Sequence, residues 1–180
     1  MTAQVITLKQ LQACCITPEG KARAEIYLPG IQRAQQSLLT TPIRLSYFLG
    51  QILHESGEFR YVEEIASGEA YQGRKDLGDI HPGDGVKFKG RGLIQITGLD
   101  AYTACGKALG LDLVNHPELL EQPEYAVASA VWFWRVNNLN DLADKHNYAA
   151  ITRRINGGMN GWESRLMYEH KATLALQEAA

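Results

Sequence analysis

The chain has 180 residues, 45% hydrophobic and 21% charged, which is typical of one globular domain with its own core. A formal net charge of −2 gives no reason to expect binding to nucleic acid or to an anionic membrane. The three cysteines Cys14, Cys15 and Cys105 fit neither a disulfide framework nor a zinc knuckle.

The N-terminal part of the chain predicts short helices and no targeting signal. It lacks the basic segment and apolar run of a signal peptide, and no stretch of the chain approaches the ~20 apolar residues of a spanning helix. Thr7 is expected to cap a helix from Leu8 to about Cys14. A second helical segment runs from Lys21 to Tyr27, is interrupted at Pro29–Gly30 and resumes from Ile31 to Thr40.

The helix that begins at Pro42 is the first element that suggests chemistry. Its apolar face consists of residues spaced three and four apart: Leu45, Phe48, Leu49 and Ile52. Glu55 falls on the same face, where an apolar wall would raise its pKa, and Gly57 ends the helix. Glu64 follows nine residues later, on a wetter loop where its carboxylate would stay ionised.

Two carboxyl groups in unlike environments are what acid/base hydrolysis of a glycosidic bond requires. The alternative interpretation is a partly exposed Glu55 in the last helical turn and an ordinary solvated loop at Glu63–Glu64.

The segment from Ala66 to Gly90 has no regular pattern and contains six glycines. A long irregular segment inside a compact domain is usually functional or disordered, so we interpret it as a cleft-lining loop with Tyr71 and Arg74 as candidate sugar contacts. The alternative is a mobile surface loop without a ligand.

The stretch Lys89–Gly98 is expected to be extended, with alternate side chains on opposite faces. One face would carry Ile94 and Ile96. The other would carry Arg91, Leu93, Gln95 and Thr97, which places a cation, an amide and a hydroxyl on one face, where they suit sugar hydroxyls and a bound water. The alternative is a structural glycine-rich strand with solvent-facing polar groups, and the glycine spacing excludes a nucleotide-binding loop.

Further helices are predicted over Leu99–Leu109, with Tyr102 and Cys105 inward, and from Pro123 onward. The helix from Pro123 is apolar all round and is expected to be the central buried one. Asn147 would cap a short helix that ends near Asn156, whose amide either faces the cleft or belongs to a helix C-cap.

In the last helix, residues 162–176, Leu166, His170 and Leu174 are predicted to share one face. The sequence does not indicate a zinc protease or a serine hydrolase. The string His54-Glu55-Ser56-Gly57-Glu58 lacks the second histidine of a zinc-protease motif, and no Gly-x-Ser-x-Gly string occurs.

Four strings now stand in order: His54-Glu55-Ser-Gly, Glu64, Gly90-Arg-Gly-Leu-Ile-Gln-Ile-Thr-Gly98 with Tyr102, and Ile155-Asn-Gly-Gly158. Together they resemble glycoside hydrolase family 19, a chitinase-like family, and look most like its compact phage and prophage endolysins. The resemblance covers roughly residues 40–170. It implies a mainly α fold, a lysozyme-like helical domain with a long irregular cleft loop and little or no β-sheet.

The resemblance also implies roles for individual residues. Glu55 would be the general acid, Glu64 rather than its neighbour Glu63 the general base, and Thr97 would help to hold the attacking water. Substrate-binding roles fall on Gln95, Tyr102 and Asn156, and Arg165 matches an arginine that neighbours the acid. The family inverts the anomeric centre, so the carboxyl groups should lie roughly 6.5–9.5 Å apart.

Two positions depart from the plant chitinases of the family: Asn160 replaces a glutamate and Ala101 replaces an asparagine. Both departures weaken the chitinase interpretation and leave the acid and the base unchanged. From the length of the chain and the resemblance we expect a single catalytic domain over residues 1–180, without a separate wall-binding domain, metal or cofactor. The expected activity is that of an endolysin that cleaves β-1,4 bonds of peptidoglycan. A chitinase and a non-catalytic glycan-binding relative are the alternatives.

As an endolysin, a monomer would accumulate in the host bacterial cytoplasm. It would bind peptidoglycan glycan strands, with no nucleic-acid or membrane partner. A holin-type membrane permeabiliser would be needed before it could reach the wall in the periplasm.

Overall fold

A computed structural model describes residues 4–177, which fold mainly into α-helices. The helices are α1 (Leu8–Cys14), α2 (Pro18–Ser37), α3 (Pro42–Glu55), α4 (Asp84–Lys87), α5 (Leu99–Leu109), α6 (Pro123–Val136), α7 (Leu139–Asp144), α8 (Tyr148–Asn156) and α9 (Trp162–Gln177). Short 3-10 turns occupy Glu69–Tyr71, Lys75–Leu77 and Pro117–Glu121. Over these residues β-structure is limited to two isolated bridges, so the mainly α prediction is confirmed.

The central helix is α3, and the prediction that the helix from Pro123 would be central is wrong. Every residue from Leu45 to Leu53 is buried, and α3 packs along α9. The helix α6 is only half-buried and exposes Glu124, Arg135 and Val136 to solvent. Composition alone misled the prediction, because α6 lies at the side of the core, where it packs on α2 and α5.

The helix α2 is continuous, contrary to the predicted interruption at Pro29–Gly30. Its buried residues fall three and four apart on both sides of the proline: Ala24, Tyr27, Ile31 and Ala34. A single apolar stripe packed on α6 thus stabilises the helix across a residue that lacks an N–H donor. Gly30 permits the close approach, since a Cβ there would lie 3.1 Å from the Val127 side chain.

Leu166, His170 and Leu174 share a face of α9 that is not its buried face. Leu166 is half-buried, while His170 and Leu174 are exposed, Leu174 by 49%. The buried face consists of Arg165, Tyr168, Ala172 and Ala175. Apolar periodicity missed this face because it begins with a charged residue and ends with small ones.

Several helix ends follow the sequence signals. Thr7 caps α1 by a capping box, and the Asn147 side chain accepts the Ala150 N–H at 3.0 Å. Gly110 ends α5 with φ +69°. Within residues 4–177 no helix combines the length and apolarity needed to span a bilayer.

Gly90–Gly98 is a tight hairpin and not an extended strand. Arg91 and Ile96 exchange two backbone hydrogen bonds of 3.0 and 2.8 Å, and the chain reverses between Gly92 and Gln95. Leu93, Ile94 and Ile96 are all buried, so the predicted alternation of faces is wrong.

Residues 66–90 fold back on themselves. The Gly73 N–H donates to the Asp79 carbonyl at 2.7 Å, and a Cβ on Gly85 would lie 2.5 Å from the Gln72 nitrogen. The Asp79 carboxylate accepts the Leu99 N–H at 2.8 Å, which fastens the segment to the start of α5.

Candidate active site

Glu55 ends α3 beside a fully buried cation. Its Oε1 lies 2.5 Å from Nη2 of Arg165, and 18% of its side-chain surface is exposed. Arg165 is 0% exposed and reaches across from α9. The prediction that Glu55 lies in an apolar wall is therefore wrong, because its carboxylate is held in an ion pair at the end of the helix.

Arg165 is itself held by buried polar groups. Its Nη1 donates to Gln51 Oε1 at 2.5 Å, and its Nε donates to the Asn160 carbonyl at 3.0 Å. The Gln51 amide donates in turn to Thr152 Oγ1 on α8 at 2.8 Å. Gln51 and Thr152 are both fully buried, so a continuous polar chain joins α8, α3 and α9 to the carboxylate of Glu55.

Sequence reasoning missed Gln51 and Thr152. Gln51 precedes Glu55 by four residues, and Thr152 precedes Asn156 by four, so each shares a helical face with a predicted site residue. That i, i+4 relation was the available signal. Asn156 is exposed, one turn beyond Thr152, and Gly157 ends α8 with φ +75°.

Glu64 lies in a different setting, beyond the compact connection of residues 56–63. Its Oε1 accepts the Tyr71 hydroxyl at 2.9 Å, and its Oε2 accepts the Gly90 N–H at 3.0 Å. Burial, together with this contact to Glu64, raises the pKa of Tyr71. Tyr71 thus orients the carboxylate. Arg74, the other candidate sugar contact in the loop, is exposed and pairs with Asp76.

The side chains of Gln95, Thr97 and Glu64 lie close together around Gly90. A Cβ on Gly90 would lie 2.6 Å from Gln95 Oε1 and 3.3 Å from both Glu64 Oε2 and Thr97 Oγ1. The Thr97 hydroxyl donates to the Gln95 carbonyl at 2.9 Å, so its lone pairs are free to accept. Gln95 holds φ +58°, an uncommon conformation for a residue other than glycine.

The side chain of Glu63 points toward Lys89 and Arg91 and not toward the oxygens around Gly90. It lies 3.0 Å from Lys89 Nζ and 3.5 Å from Arg91 Nη2. Of the two adjacent carboxylates, Glu64 is therefore the one held beside Thr97.

Arg91 and Tyr102 are interior residues and not exposed sugar contacts. Arg91 is 8% exposed and donates to Glu121, to the Lys87 carbonyl and to the Tyr102 hydroxyl. Tyr102 is fully buried, and its hydroxyl donates to the Lys89 carbonyl at 2.7 Å. The predicted substrate-binding role of both residues is thus corrected to one of supporting the loop behind Glu64.

His54 packs beside the acid cluster without metal-ligand geometry. Its Nδ1 lies 2.9 Å from Ser164 Oγ, and burial together with the nearby Arg165 lowers its pKa. Across the described residues, no group of three or more His, Cys, Asp or Glu side chains is placed to hold a metal ion.

Glu58 is a further carboxylate that the sequence did not single out as functional. It is 2% exposed, with φ +58°, and accepts hydrogen bonds from Ile16 N, from Thr17 N and Oγ1, and from the Tyr168 hydroxyl. The loop between Glu55 and Glu64 is thereby tied to the N-terminal helices and to α9.

The chain is similar to known proteins of one family. The profile of the family described as "Chitinase class I", glycoside hydrolase family 19, matches residues 53–156. A family 19 domain-containing protein of Haemophilus influenzae is 41% identical over 102 residues, 57% of this chain and 49% of that protein. An Arabidopsis thaliana endochitinase is 41% identical over 115 residues, 63% of this chain and 39% of its own. Some other relatives are named inactive, including an Arabidopsis endochitinase.

The matched segment thus spans less than half of these two relatives. Among solved structures, a bacterial family 19 chitinase superposes with a TM-score of 0.72 at 22% identity, over 99% of this chain and 97% of that one. At this identity the likeness concerns the fold, which is the lysozyme-like helical one. Because the family profile covers more than half of the chain, the protein belongs to glycoside hydrolase family 19.

Proposed function

We propose that this protein is an endolysin that hydrolyses β-1,4-glycosidic bonds of bacterial peptidoglycan with inversion at the anomeric carbon. The observation that carries the proposal is the pair of carboxylates in unlike settings. Glu55 ends a buried helix against Arg165, and Glu64 is held by Tyr71 and the Gly90 N–H beside Thr97. Two differently placed carboxyl groups are the minimum that inverting hydrolysis needs.

In the proposed mechanism Glu55 acts in its protonated form and donates that proton to the leaving glycosidic oxygen, and so becomes the carboxylate that pairs with Arg165. Arg165 fixes the direction in which its carboxyl group points. Glu64 removes a proton from a water that Thr97 and Glu64 hold, and this water attacks the anomeric carbon from the opposite face. The backbone N–H of Gly90 and the Tyr71 hydroxyl keep Glu64 oriented for this step.

Peptidoglycan is favoured over chitin by the two departures from the plant chitinases. Asn160 contributes its backbone carbonyl to Arg165, and its side chain is exposed. Ala101 removes a polar side chain near the start of α5. For the cell, we propose accumulation in the host cytoplasm and access to the wall through a holin-type permeabiliser.

Chitin hydrolysis is the second candidate, and it is favoured by the names of the plant relatives and of the superposed bacterial chitinase. A non-catalytic glycan-binding role is the third, since some relatives are named inactive. Binding of glycan without turnover by the wild-type protein would support this third possibility.

The test is digestion of purified Gram-negative peptidoglycan, with chitin oligomers in parallel and mass analysis of the new reducing ends. Wild-type protein should release wall fragments, and Glu55→Gln and Glu64→Gln should each lose about 10²–10⁴-fold in rate. Glu63→Gln is the matched control for Glu64, and it should retain most activity. Turnover of chitin oligomers without release from the wall would contradict the proposed substrate.

A further inference from the structure

A cavity of about 350 Å³ lies against the connection between Glu55 and Glu64. Its lining comes from two parts of the chain: Thr17, Glu19, Arg23, Gly57 and Arg60. Gly57 and Arg60 belong to the connection itself. The other three residues precede residues 53–156, the part matched by the family profile, so this cavity is not built from the shared region alone.

The two arginines of this cavity have unused donors. Arg23 and Arg60 make no ion pair and no side-chain hydrogen bond with residues 4–177, whereas Arg91 and Arg165 pair with carboxylates. The Arg60 guanidinium rests 4.9 Å from the centre of the Tyr61 ring, which restricts its motion. The geometry therefore offers two planar cations on one cavity, each able to bind a carboxylate through two parallel hydrogen bonds.

The acidic residues near this cavity do not cancel its preference for a carboxylate. Glu19 is the one acidic residue among the lining residues, and it leaves a net positive charge. The buried Glu58 lies behind Thr17, where its carboxylate already accepts hydrogen bonds from Ile16, Thr17 and Tyr168. The N-terminus of the 20-residue helix α2 adds positive potential at Thr17.

We infer that this cavity binds a carboxylate of the peptide stem that hangs from the peptidoglycan glycan strand. The inference rests on the proposed function. Chitin carries no such stem, whereas stems leave the wall glycan at alternate sugars and carry several carboxylates. A four-residue stem spans up to about 14 Å, so it can leave a glycan bound near Glu55 and Glu64 and reach a cavity on the intervening loop.

The experiment compares two substrates that share one glycan. One is intact Gram-negative peptidoglycan, and the other is the same material after an amidase has removed the stems. The double variant Arg23→Ala/Arg60→Ala should lose about tenfold in kcat/KM on the intact wall and less than twofold on the stem-free strands. Arg23→Lys/Arg60→Lys should recover part of the loss, and Glu19→Gln should raise the rate on the intact wall.

Arg135→Ala is the matched control, because Arg135 is an exposed arginine on a separate cavity formed with α6. It should change neither rate, and thermal melting checks that each variant folds. Equal losses of the double variant on both substrates, or no loss on either, would overturn the stem site and leave the proposed function standing. Failure of the wild-type protein to cleave either wall substrate would overturn the proposed function and the stem site together.

Discussion

At Gly90 the absence of a side chain allows three polar oxygens to approach one position. Gln95 Oε1, Glu64 Oε2 and Thr97 Oγ1 surround the point that a Cβ would occupy. The same glycine supplies the N–H that holds Glu64. Its backbone is not in the left-handed region, so the requirement for glycine is one of space.

Gly90→Ala should therefore lower the rate of glycan hydrolysis by about a hundredfold, because the new methyl group displaces Glu64 or the water beside it. Thermal melting should show a folded protein. We would measure kcat with wall fragments as substrate. An alanine variant with wild-type kcat would mean that the three oxygens do not act on a common water.

Tyr102 provides a second test at this scale. Its hydroxyl bridges the Lys89 carbonyl and the Arg91 guanidinium inside the protein. Tyr102→Phe should reduce the free energy of unfolding by about 1–2 kcal/mol and leave KM for the glycan unchanged. Urea denaturation and steady-state kinetics separate the two effects. A raised KM with unchanged stability would restore Tyr102 as a direct glycan contact.

At the scale of elements, the site depends on how three helices meet. Helix α8 contacts Gln51 of α3 through Thr152, and Gln51 holds Arg165 of α9 against Glu55. Because Asn156 lies one turn beyond Thr152, the end of α8 predicted to bind the glycan is connected to the acid by buried hydrogen bonds.

Thr152→Val should leave the Gln51 amide without its buried acceptor and cost about 1–3 kcal/mol of stability. It should also lower kcat several-fold more than it raises KM, because Arg165 loses its support. Thr103→Val on the exposed face of α5 is the matched control and should change neither. Proportional changes in kcat and KM, or an unchanged kcat, would indicate that Thr152 has only a structural role.

Sequence patterns predicted those elements whose signals are local. The α3 span, the Asn147 cap and the Gly110 stop each depend on residues within one or two turns. The continuity of α2 through Pro29 and the hairpin at Gly92–Gln95 depend on packing against distant helices and on a reversal of the chain, which periodicity does not contain.

The residues of the site also differ in how far local sequence signals could predict them. Spacing identified Glu55 and Glu64 as a pair, whereas Arg165 was indicated only by the resemblance. Its contact with Glu55 joins residues 110 positions apart in the chain. Burial of Arg91 could not be predicted from an assumed extended strand, because the hairpin turns its side chain inward, whereas the inward position of Tyr102 on α5 was predicted from the helical pattern.

At the scale of the whole molecule, Glu58 joins three parts of the chain. It lies in the loop between Glu55 and Glu64, binds the start of α2 through Ile16 and Thr17, and binds α9 through Tyr168. Burial alone would raise the pKa of Glu58, but the hydrogen bonds from Thr17, Ile16 and Tyr168 outweigh it and lower the pKa below its usual value.

A carboxylate whose pKa is lower in the folded than in the unfolded state stabilises the fold above the unfolded pKa of about 4.3. That stability is lost as pH falls from there through the folded pKa. Glu58→Gln should thus cost about 3 kcal/mol at pH 7 and should flatten the fall in unfolding free energy below about pH 4. Urea denaturation from pH 3 to 7 measures both. Glu25→Gln, at an exposed position of α2, should reproduce the wild-type curve. If the unfolding free energy of Glu58→Gln falls below pH 4 as steeply as that of the wild type, another carboxylate causes the fall.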